Sequence, residues 1–252
     1  MMKQKRFYNN RYRVMRRALH KLQNVVVFFY DLRLVEMSLG TGSIRNVLEV
    51  GCGQGTDAIL ASRHARQVVA TDISFNAVKV AKALSKAGYG SGNISFIVAD
   101  AAYLPLRKAT FDIVFCKDLL HHVADSLSAI LEMRRVANDC GKVAAIEANA
   151  YNLEMILIGL IYFSVDKGVF KSTKARLIAA FEEAKLSQVS AVETEFLPRH
   201  LLFEYRSPLA NLSVSRLRAI LGIMRRIERK LQNVPMARRC ANYILIQGVN
   251  SG

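Results

Sequence analysis

Short apolar segments alternate with helical patterns through the first two thirds of the chain, and this alternation limits the possible folds most strongly. The apolar segments before residue 149 are 47–50, 67–72, 94–99, 111–116 and 141–148. Helical patterns separate them at 56–65, 75–87 and 126–137. Strands that alternate with helices of 10–15 residues are typical of a parallel sheet covered on both faces. The sequence therefore predicts a doubly wound α/β fold whose ligand binds beyond the carboxyl ends of the strands.

The second half of the chain predicts further elements of the same sheet. They are an amphipathic helix at 172–184, a strand at 188–197, a basic helix at 213–234 and a strand at 242–249. These elements would complete a Rossmann-like, mostly parallel sheet of seven strands in a single domain. Helices before residue 40 would precede the domain, and the helix at 213–234 would be an insertion.

We expect the chain to be organised as one decorated domain. Residues 1–40 form a basic helical extension in this interpretation, and residues 41–252 form the domain, with its core at 44–150. Residues 149–172 would be a lid or substrate region. The apolar stretch 153–165 fits a lid or pocket wall and a buried helix equally well.

A glycine-rich loop follows the first strand, with the sequence Gly-Cys-Gly-Gln-Gly at 51–55. Glycine suits a sharp turn where a ligand must approach the backbone closely. Asp72 ends the second strand, 21 residues after Gly51, a distance at which a carboxylate can accept hydrogen bonds from ribose hydroxyls. Asp100 ends the third strand, beside the small Ala101, where it could meet an adenine amino group. The adjacent strand ends predict a nucleoside site.

Two other interpretations of the glycine loop are weaker. A dinucleotide site has the spacing G-x-G-x-x-G, in which the third glycine allows close helix packing beside a pyrophosphate. Here the spacing is G-x-G-x-G, and Glu49 stands just before it. A carboxylate at that place suits a cationic ligand better than a pyrophosphate. Glycines that only make a turn would leave the two aspartates unexplained.

Four segments in this order resemble the successive motifs of a known enzyme family. They are Val47-Leu-Glu-Val-Gly-Cys-Gly-Gln-Gly-Thr56, Ala70-Thr-Asp-Ile-Ser74, Val98-Ala-Asp-Ala101 and Phe111-Asp-Ile-Val-Phe-Cys-Lys-Asp-Leu-Leu-His-His-Val123. The family is the class I S-adenosylmethionine-dependent methyltransferases, and the chain is most similar to their small-molecule and lipid branch, which includes the ubiquinone-biosynthesis type. The resemblance is strong over residues 44–150, and it extends to 170–197 by topology alone.

The resemblance implies S-adenosyl-L-methionine as the cofactor and a methyltransferase activity on a small-molecule or lipid-linked acceptor. It places the glycine loop at the methionine end of the cofactor, Asp72 at the ribose and Asp100 at the adenine amino group. Lys117 would lie next to the cofactor after the fourth strand. The complete set of predicted cofactor-binding residues is Glu49, Gly51, Cys52, Gly53, Gly55, Asp72, Ile73, Asp100, Ala101 and Lys117.

His121 and His122 are the candidate catalytic residues. An imidazole with a pKa of about 6.5 suits proton abstraction from an acceptor, and we favour His122; packing or capping of the next helix is the alternative. Asn149, Tyr151 and Asn152 follow the fifth strand and could bind a polar acceptor, although asparagine also favours turns. Methyl transfer needs mainly alignment and exclusion of water. No cluster with metal-ligand spacing is found, so no metal is predicted.

The net charge of +16 lies at the two ends of the chain. Residues 1–40 carry +7, residues 199–252 carry +8, and the stretch between them carries only +1. Basic residues interleaved with aromatics at 3–21 fit RNA, and a basic amphipathic helix at 213–234 fits an anionic membrane surface. Solvated helix faces are the third alternative. We favour the membrane because an apolar lid and a basic helix occur together.

Two further functions stay open beside the methylation of a small molecule. One is an RNA methyltransferase, which is disfavoured because no RNA-binding module and no Asn-Pro-Pro-Tyr type of motif follow the fourth strand. The other is a non-catalytic nucleotide-binding or partner module of the same fold. No apolar run reaches the roughly 20 residues that span a bilayer, and the four cysteines are scattered. The sequence therefore predicts a cytoplasmic protein, with peripheral attachment to the inner face of the membrane as an option.

Overall fold

The computed structural model describes residues 32–40, 42–89, 92–161, 163, 167–196 and 212–252. Its helices are α1 Leu32–Leu39, α2 Thr56–Ala61, α3 Phe75–Leu84, α4 Ser126–Val136, α5 Leu153–Ile161, α6 Lys174–Glu183, α7 Val214–Leu231 and α8 Pro235–Arg239. Its strands are β1 Ile44–Val50, β2 Ala65–Asp72, β3 Ile94–Val98, β4 Phe111–Lys117, β5 Ala137–Ala148, β6 Leu186–Thr194 and β7 Tyr243–Asn250. A π-helical turn, Ser85–Tyr89, follows α3, and a 3-10 helix, Lys167–Lys171, precedes α6.

All seven strands belong to one sheet with the order β3-β2-β1-β4-β5-β7-β6. The first five strands pair in parallel, and β7 pairs antiparallel with both β5 and β6. The order reverses between β1 and β4, because the chain leaves β1 for β2 on one side and returns to β4 on the other. Ligands of doubly wound sheets bind at such a reversal. The prediction of a mostly parallel, seven-stranded, Rossmann-like domain is confirmed.

Two apolar cores cover the faces of the sheet. One contains α4 and α6, with Met133 and Phe181 fully buried against β4, β5 and β7. The other contains α1, α2 and α3, with Leu60 and Val78 packed against β1 and β2. Two packed faces explain why the central strands are apolar without alternation.

Several predicted boundaries differ from the structure. Of the two alternatives for the apolar stretch 153–165, the structure has a helix at Leu153–Ile161, and Pro235–Arg239 is a further short helix. The strand predicted at 188–197 begins at Leu186 and ends at Thr194. Of the predicted N-terminal helices, only Leu32–Leu39 is described, and the basic segment 3–21 lies outside the described residues.

Candidate active site

The glycine loop between β1 and α2 folds onto the end of β2. The main-chain N–H groups of Gly51 and Cys52 both donate to the carbonyl oxygen of Thr71, at 2.7 and 2.8 Å. The N–H of Gly53 donates to Asp72 Oδ2 at 2.8 Å. These bonds hold the loop beside the carboxylate that ends β2, so the two features are already joined in the fold.

Two glycines of this loop leave no room for a side chain. Gly51 and Gly55 have φ values of 78° and 79°, in the left-handed region that a Cβ disfavours. A Cβ at Gly51 would lie 2.7 Å from Leu119 Cδ1, and one at Gly55 would lie 2.8 Å from Ala81 Cβ. The loop therefore needs glycine at these two positions for its conformation and for its packing.

Asp72 keeps acceptor capacity at the end of β2. Its two oxygens accept from the N–H groups of Gly53 and Ser74, both at 2.8 Å. Burial raises the pKa of Asp72, and the hydrogen bonds from Ser74 and Gly53 oppose that shift. A carboxylate has about four lone-pair sites, so further hydrogen bonds to ligand hydroxyls are possible. Ile73, which follows, is half-buried.

Glu49, Asp57 and Lys117 form a buried charged group beneath the glycine loop. Glu49 is only 2% exposed, and its Oε2 has no hydrogen-bond partner among the described residues. Lys117 Nζ lies 3.4 Å from both carboxylate oxygens of Asp57. Burial and the nearby Asp57 carboxylate raise the pKa of Glu49 well above its usual range, while Lys117 opposes the shift. Two acids share one ammonium, so a cationic ligand would favour the ionised form of Glu49.

Asp100 lies beside Asp72 at the next strand end. The N–H of Ala99 donates to the Asp72 carbonyl oxygen at 3.0 Å and ties the two segments together. Asp100 Oδ1 accepts from the N–H of Ala102 at 3.0 Å, and the neighbouring Ala101 is buried. The structure thus brings Asp100 to the same edge of the sheet as the glycine loop.

The turn after β4 is built around a fully buried glutamate, Glu147 of β5. Its Oε1 accepts from the N–H groups of Leu119 and Leu120, at 3.0 and 2.8 Å. Its Oε2 accepts from the N–H of His121 at 3.4 Å and lies 2.5 Å from His121 Nδ1. A carboxylate only accepts, so Nδ1 carries the hydrogen and Nε2 is the basic nitrogen.

His121 and His122 lie in contact, with ring centroids 4.0 Å apart. The side chain of His121 is only 6% exposed, whereas His122 is half-buried. The 3-10 helix Lys167–Lys171 packs closely against this turn. A Cβ at Gly168 would collide with the His121 carbonyl oxygen. Both residues are partly buried overall, and Nδ1 of His122 is buried. The catalytic role of either residue stays a prediction.

The three residues predicted to bind an acceptor have different surroundings. The side-chain amide of Asn149 donates to the carbonyl oxygen of Arg239, and that of Asn152 donates to Cys240, at 3.0 and 2.8 Å. Both asparagines are buried, whereas Tyr151 is exposed. The amides are therefore engaged in holding α8 against the end of β5, and Tyr151 is the one of the three whose side chain is open to an acceptor.

Two buried acids of the site were not predicted from the sequence. Asp57 follows the glycine loop in the first turn of α2, a position that could have been noticed because carboxylates are favoured there. Glu147 interrupts an otherwise apolar strand, and a buried acid needs partners. Its partners come from a different strand end, which spacing alone does not reveal. Among the described residues, no group of three or more His, Cys, Asp or Glu side chains could hold a metal ion.

The methyltransferase domain family matches residues 48–145, which contain the glycine loop, Asp72, Asp100 and the turn after β4. The match shows a methyltransferase domain at residues 48–145. Norajmaline N-methyltransferase of Rauvolfia serpentina is 36% identical over 94 residues, 37% of this chain and 32% of the relative. The 27-O-demethylrifamycin SV methyltransferase of Amycolatopsis mediterranei is 34% identical over 100 residues, 39% of this chain and 36% of the relative.

The chain spans about one third of the length of these curated relatives. The fold likeness extends further than the sequence match. The structure of Haemonchus contortus phosphoethanolamine N-methyltransferase 2 with bound S-adenosyl-L-methionine has a TM-score of 0.62 and 17% identity. It covers 92% of this chain and 58% of that protein. The shared fold therefore extends through β6 and β7.

S-adenosyl-L-methionine is the cofactor of this methyltransferase class, and the residues present fit it. The buried Glu49 Oε2 has no partner among the described residues and suits an ammonium group. The glycine loop is bound to Asp72 through the N–H of Gly53, so the loop and the acceptor for ribose hydroxyls lie side by side. Both observations place suitable charge and hydrogen-bond acceptors at the carboxyl ends of β1 and β2.

Proposed function

We propose that the chain transfers a methyl group from S-adenosyl-L-methionine to an apolar small-molecule acceptor. The observation that carries the proposal is the convergence of Glu49, Asp72 and Asp100 around the glycine loop at the point where the strand order reverses. Carboxylates at these places match the cationic methionine end and the hydroxyl-rich nucleoside of the cofactor.

Each acid has its own role in holding the cofactor. Glu49 would bind the amino group of the methionine moiety, and Lys117 paired with Asp57 would keep the charge around it balanced. Asp72 would accept from the ribose hydroxyls, and Asp100 from the adenine amino group. When bound, S-adenosyl-L-methionine supplies an electrophilic methyl group on a positively charged sulfur. The protein then has to align the acceptor and exclude water.

The acceptor side of the proposed site is apolar. Helix α5 follows β5 at this edge of the sheet and exposes Leu153, Leu157, Leu160 and Ile161. Their spacing of four, three and one places them on one side of the helix. The matched relatives are named for norajmaline and 27-O-demethylrifamycin SV, which are small-molecule acceptors. An apolar small molecule, free or lipid-linked, therefore fits this chain best.

His122 would accept a proton if the acceptor is a hydroxyl or another weakly acidic group. His121 would act as a positioning residue, because Glu147 fixes its ring and the two imidazoles are in contact. An unperturbed imidazole is suited to this step near neutral pH. A nitrogen or carbon nucleophile that carries its own lone pair or enolate would need less help.

Binding of S-adenosylhomocysteine tests the cofactor site directly. We expect micromolar affinity by calorimetry and a loss of at least tenfold in Asp72→Ala, because hydrogen bonds to a charged group contribute about 1.5–3 kcal/mol. Asp72→Asn keeps one acceptor oxygen and should lose less. Asp139→Ala is the matched control, because Asp139 is an exposed acid near the amino end of β5, away from the carboxyl ends of the strands. Well-folded protein without detectable binding would refute the proposal.

Activity on an acceptor distinguishes an enzyme from a non-catalytic module of the same fold. The purified chain is supplied with labelled S-adenosyl-L-methionine and extracts of apolar small molecules, lipids and RNA, and labelled products are identified by mass spectrometry. Label in an apolar small molecule supports the proposal. Label only in RNA, or binding of cofactor with no transfer to any extract, overturns it.

A further inference from the structure

The helical pair α7 and α8 presents a surface that is basic and free of exposed acids. Residues 213–240 contain eight arginine and lysine side chains and a single acid, Glu228, which is buried. The exposed cations are Arg216, Arg218, Arg226, Arg229, Lys230, Arg238 and Arg239. We call the exposed side chains of these two helices the basic face. A surface of one sign of charge over 28 residues attracts an anionic partner.

Apolar side chains are exposed within the basic face. Ile223 is 57% exposed, Ile227 is 45% exposed, and Met236 of α8 is 73% exposed. Arg216, Ile223, Ile227 and Lys230 follow one another at intervals of seven, four and three residues, so they share one side of α7. Cationic and apolar side chains are therefore exposed on the same surface, and exposed apolar side chains do not contribute to solubility.

The side of α7 that faces the protein is separate from this outward side. Leu217, Leu221 and Met224 are buried, at intervals of four and three residues. The apolar residues that hold α7 in the fold are thus already used. Ile223 and Ile227 are additional apolar surface, which the fold leaves in contact with solvent.

The basic face lies at the carboxyl edge of the sheet, near the proposed active site. Glu228 Oε1 of α7 accepts from the N–H of Phe196, just after β6, at 3.2 Å. Asn149 and Asn152, just after β5, hold the carbonyl oxygens that end α8. The exposed apolar side of α5 begins one residue after Asn152. The carboxyl ends of β5 and β6 thus both lie next to α5, α7 and α8.

We propose that the basic face docks the protein on an anionic lipid bilayer. Headgroups would pair with the arginine and lysine side chains, while Ile223, Ile227 and Met236 would enter the boundary between headgroups and acyl chains. RNA fits less well because residues 213–240 contain no Phe, Tyr, Trp or His, and single-stranded nucleic acid is bound largely by aromatic stacking. The proposal is independent of methyl transfer.

Vesicle co-sedimentation of the full chain tests the proposal. The probes are neutral phosphatidylcholine vesicles and vesicles with 30% phosphatidylglycerol, each at low salt and at 0.5 M salt. We expect sedimentation with anionic vesicles only, and its loss at high salt, where charges are screened beyond about 3–4 Å. Equal sedimentation with neutral vesicles, or none at low salt, overturns the proposal.

Variants assign the binding to the basic face rather than to another part of this cationic chain. The triple variant Arg216→Gln, Arg226→Gln, Lys230→Gln should bind anionic vesicles at least tenfold more weakly. The triple variant Lys79→Gln, Lys82→Gln, Lys86→Gln removes three exposed charges near β3 and should bind as the wild type does. Equal losses in both triple variants would indicate general charge attraction and would refute the assignment.

The apolar part of the docking has its own variant. Ile223→Ser with Ile227→Ser should also weaken binding about tenfold, whereas Leu131→Ser, at an exposed leucine of α4, should leave it unchanged. Circular dichroism and S-adenosylhomocysteine affinity are measured on every variant to establish folding. Binding that depends on the charges and is unaffected by the isoleucines, or RNA affinity that exceeds vesicle affinity, overturns the proposal.

Discussion

Replacing Glu147 tests how the turn after β4 is held. In Glu147→Ala, the N–H groups of Leu119, Leu120 and His121 and the His121 ring lose their common acceptor. A buried donor without a partner costs about 1–3 kcal/mol. Water entering the vacated space offsets part of this, so we expect a total loss of about 4 kcal/mol. For a chain of this size, each kcal/mol lowers Tm by about 2–4 °C, which gives a decrease of about 8–16 °C.

Glu147→Gln separates packing from the state of the imidazole. The amide oxygen can still accept from Leu119 and Leu120, and the NH2 group can donate to His121 Nδ1 if the ring proton moves to Nε2. We therefore expect a loss of only about 1–2 kcal/mol in the free energy of unfolding. The ring would then present its other tautomer, and the rate of methyl transfer should fall while S-adenosylhomocysteine affinity is retained.

Thermal unfolding by circular dichroism and nitrogen NMR of the imidazoles measure the two effects. Glu193→Gln is the control, because Glu193 also has a side-chain partner, Lys174, at 2.8 Å, but that pair is partly exposed. Such pairs contribute about 0–1 kcal/mol, so its Tm should change by less than about 4 °C. An Ala variant within 2 °C of the wild type, or a Gln variant with an unchanged tautomer, would refute our description of this turn.

Two further predictions concern the glycine loop and the acid beneath it. Gly55→Ala should destabilise the protein by about 2–4 kcal/mol, because Gly55 has a positive φ and a Cβ there would crowd Ala81 and Phe96. Gly222→Ala, at an open helical position, should instead stabilise the protein by about 0.5–1 kcal/mol. Urea unfolding measures both changes, and equal effects of the two variants would contradict the loop geometry. The raised pKa of Glu49 means that the folded state holds its proton above the unfolded pKa, so stability falls as pH rises through the window between the two values. Glu49→Gln should therefore raise Tm at pH 8, and calorimetry should find S-adenosylhomocysteine binding about tenfold weaker. A lowered Tm together with unchanged affinity would contradict this prediction.

The strands and the convergence of their ends could be predicted from the sequence because both depend on local patterns. Apolar runs of four to eight residues mark the central strands, and the chain order of a doubly wound sheet brings the glycine loop, Asp72 and Asp100 to one edge. Asp125 stands directly before α4, where an aspartate favours a helix N-cap, and it accepts from the N–H groups of Leu127 and Ser128. Each of these features follows from a local sequence pattern or from the general strand order of a doubly wound sheet.

Features that depend on distant partners could not be predicted. In the sequence, Glu147 is only an acid within an apolar strand. Its role as the acceptor for N–H groups after β4 is visible only in the structure. Asn149 and Asn152 look like substrate ligands because their bonds to α8 cross about 90 residues. Helix α5 could not be assigned from the sequence, because a uniformly apolar run has no period by which to distinguish a buried helix from an irregular pocket wall.

The position of β7 has a consequence for how the protein is made. This strand lies between β5 and β6, although its residues Tyr243–Asn250 are synthesised after both. Until they emerge from the ribosome, β6 has no partner strand and β5 has an open edge, and such edges are prone to pair with other chains. We therefore expect the amino-terminal half of the sheet to be able to form during translation, while the half beneath α5, α7 and α8 closes only when β7 inserts.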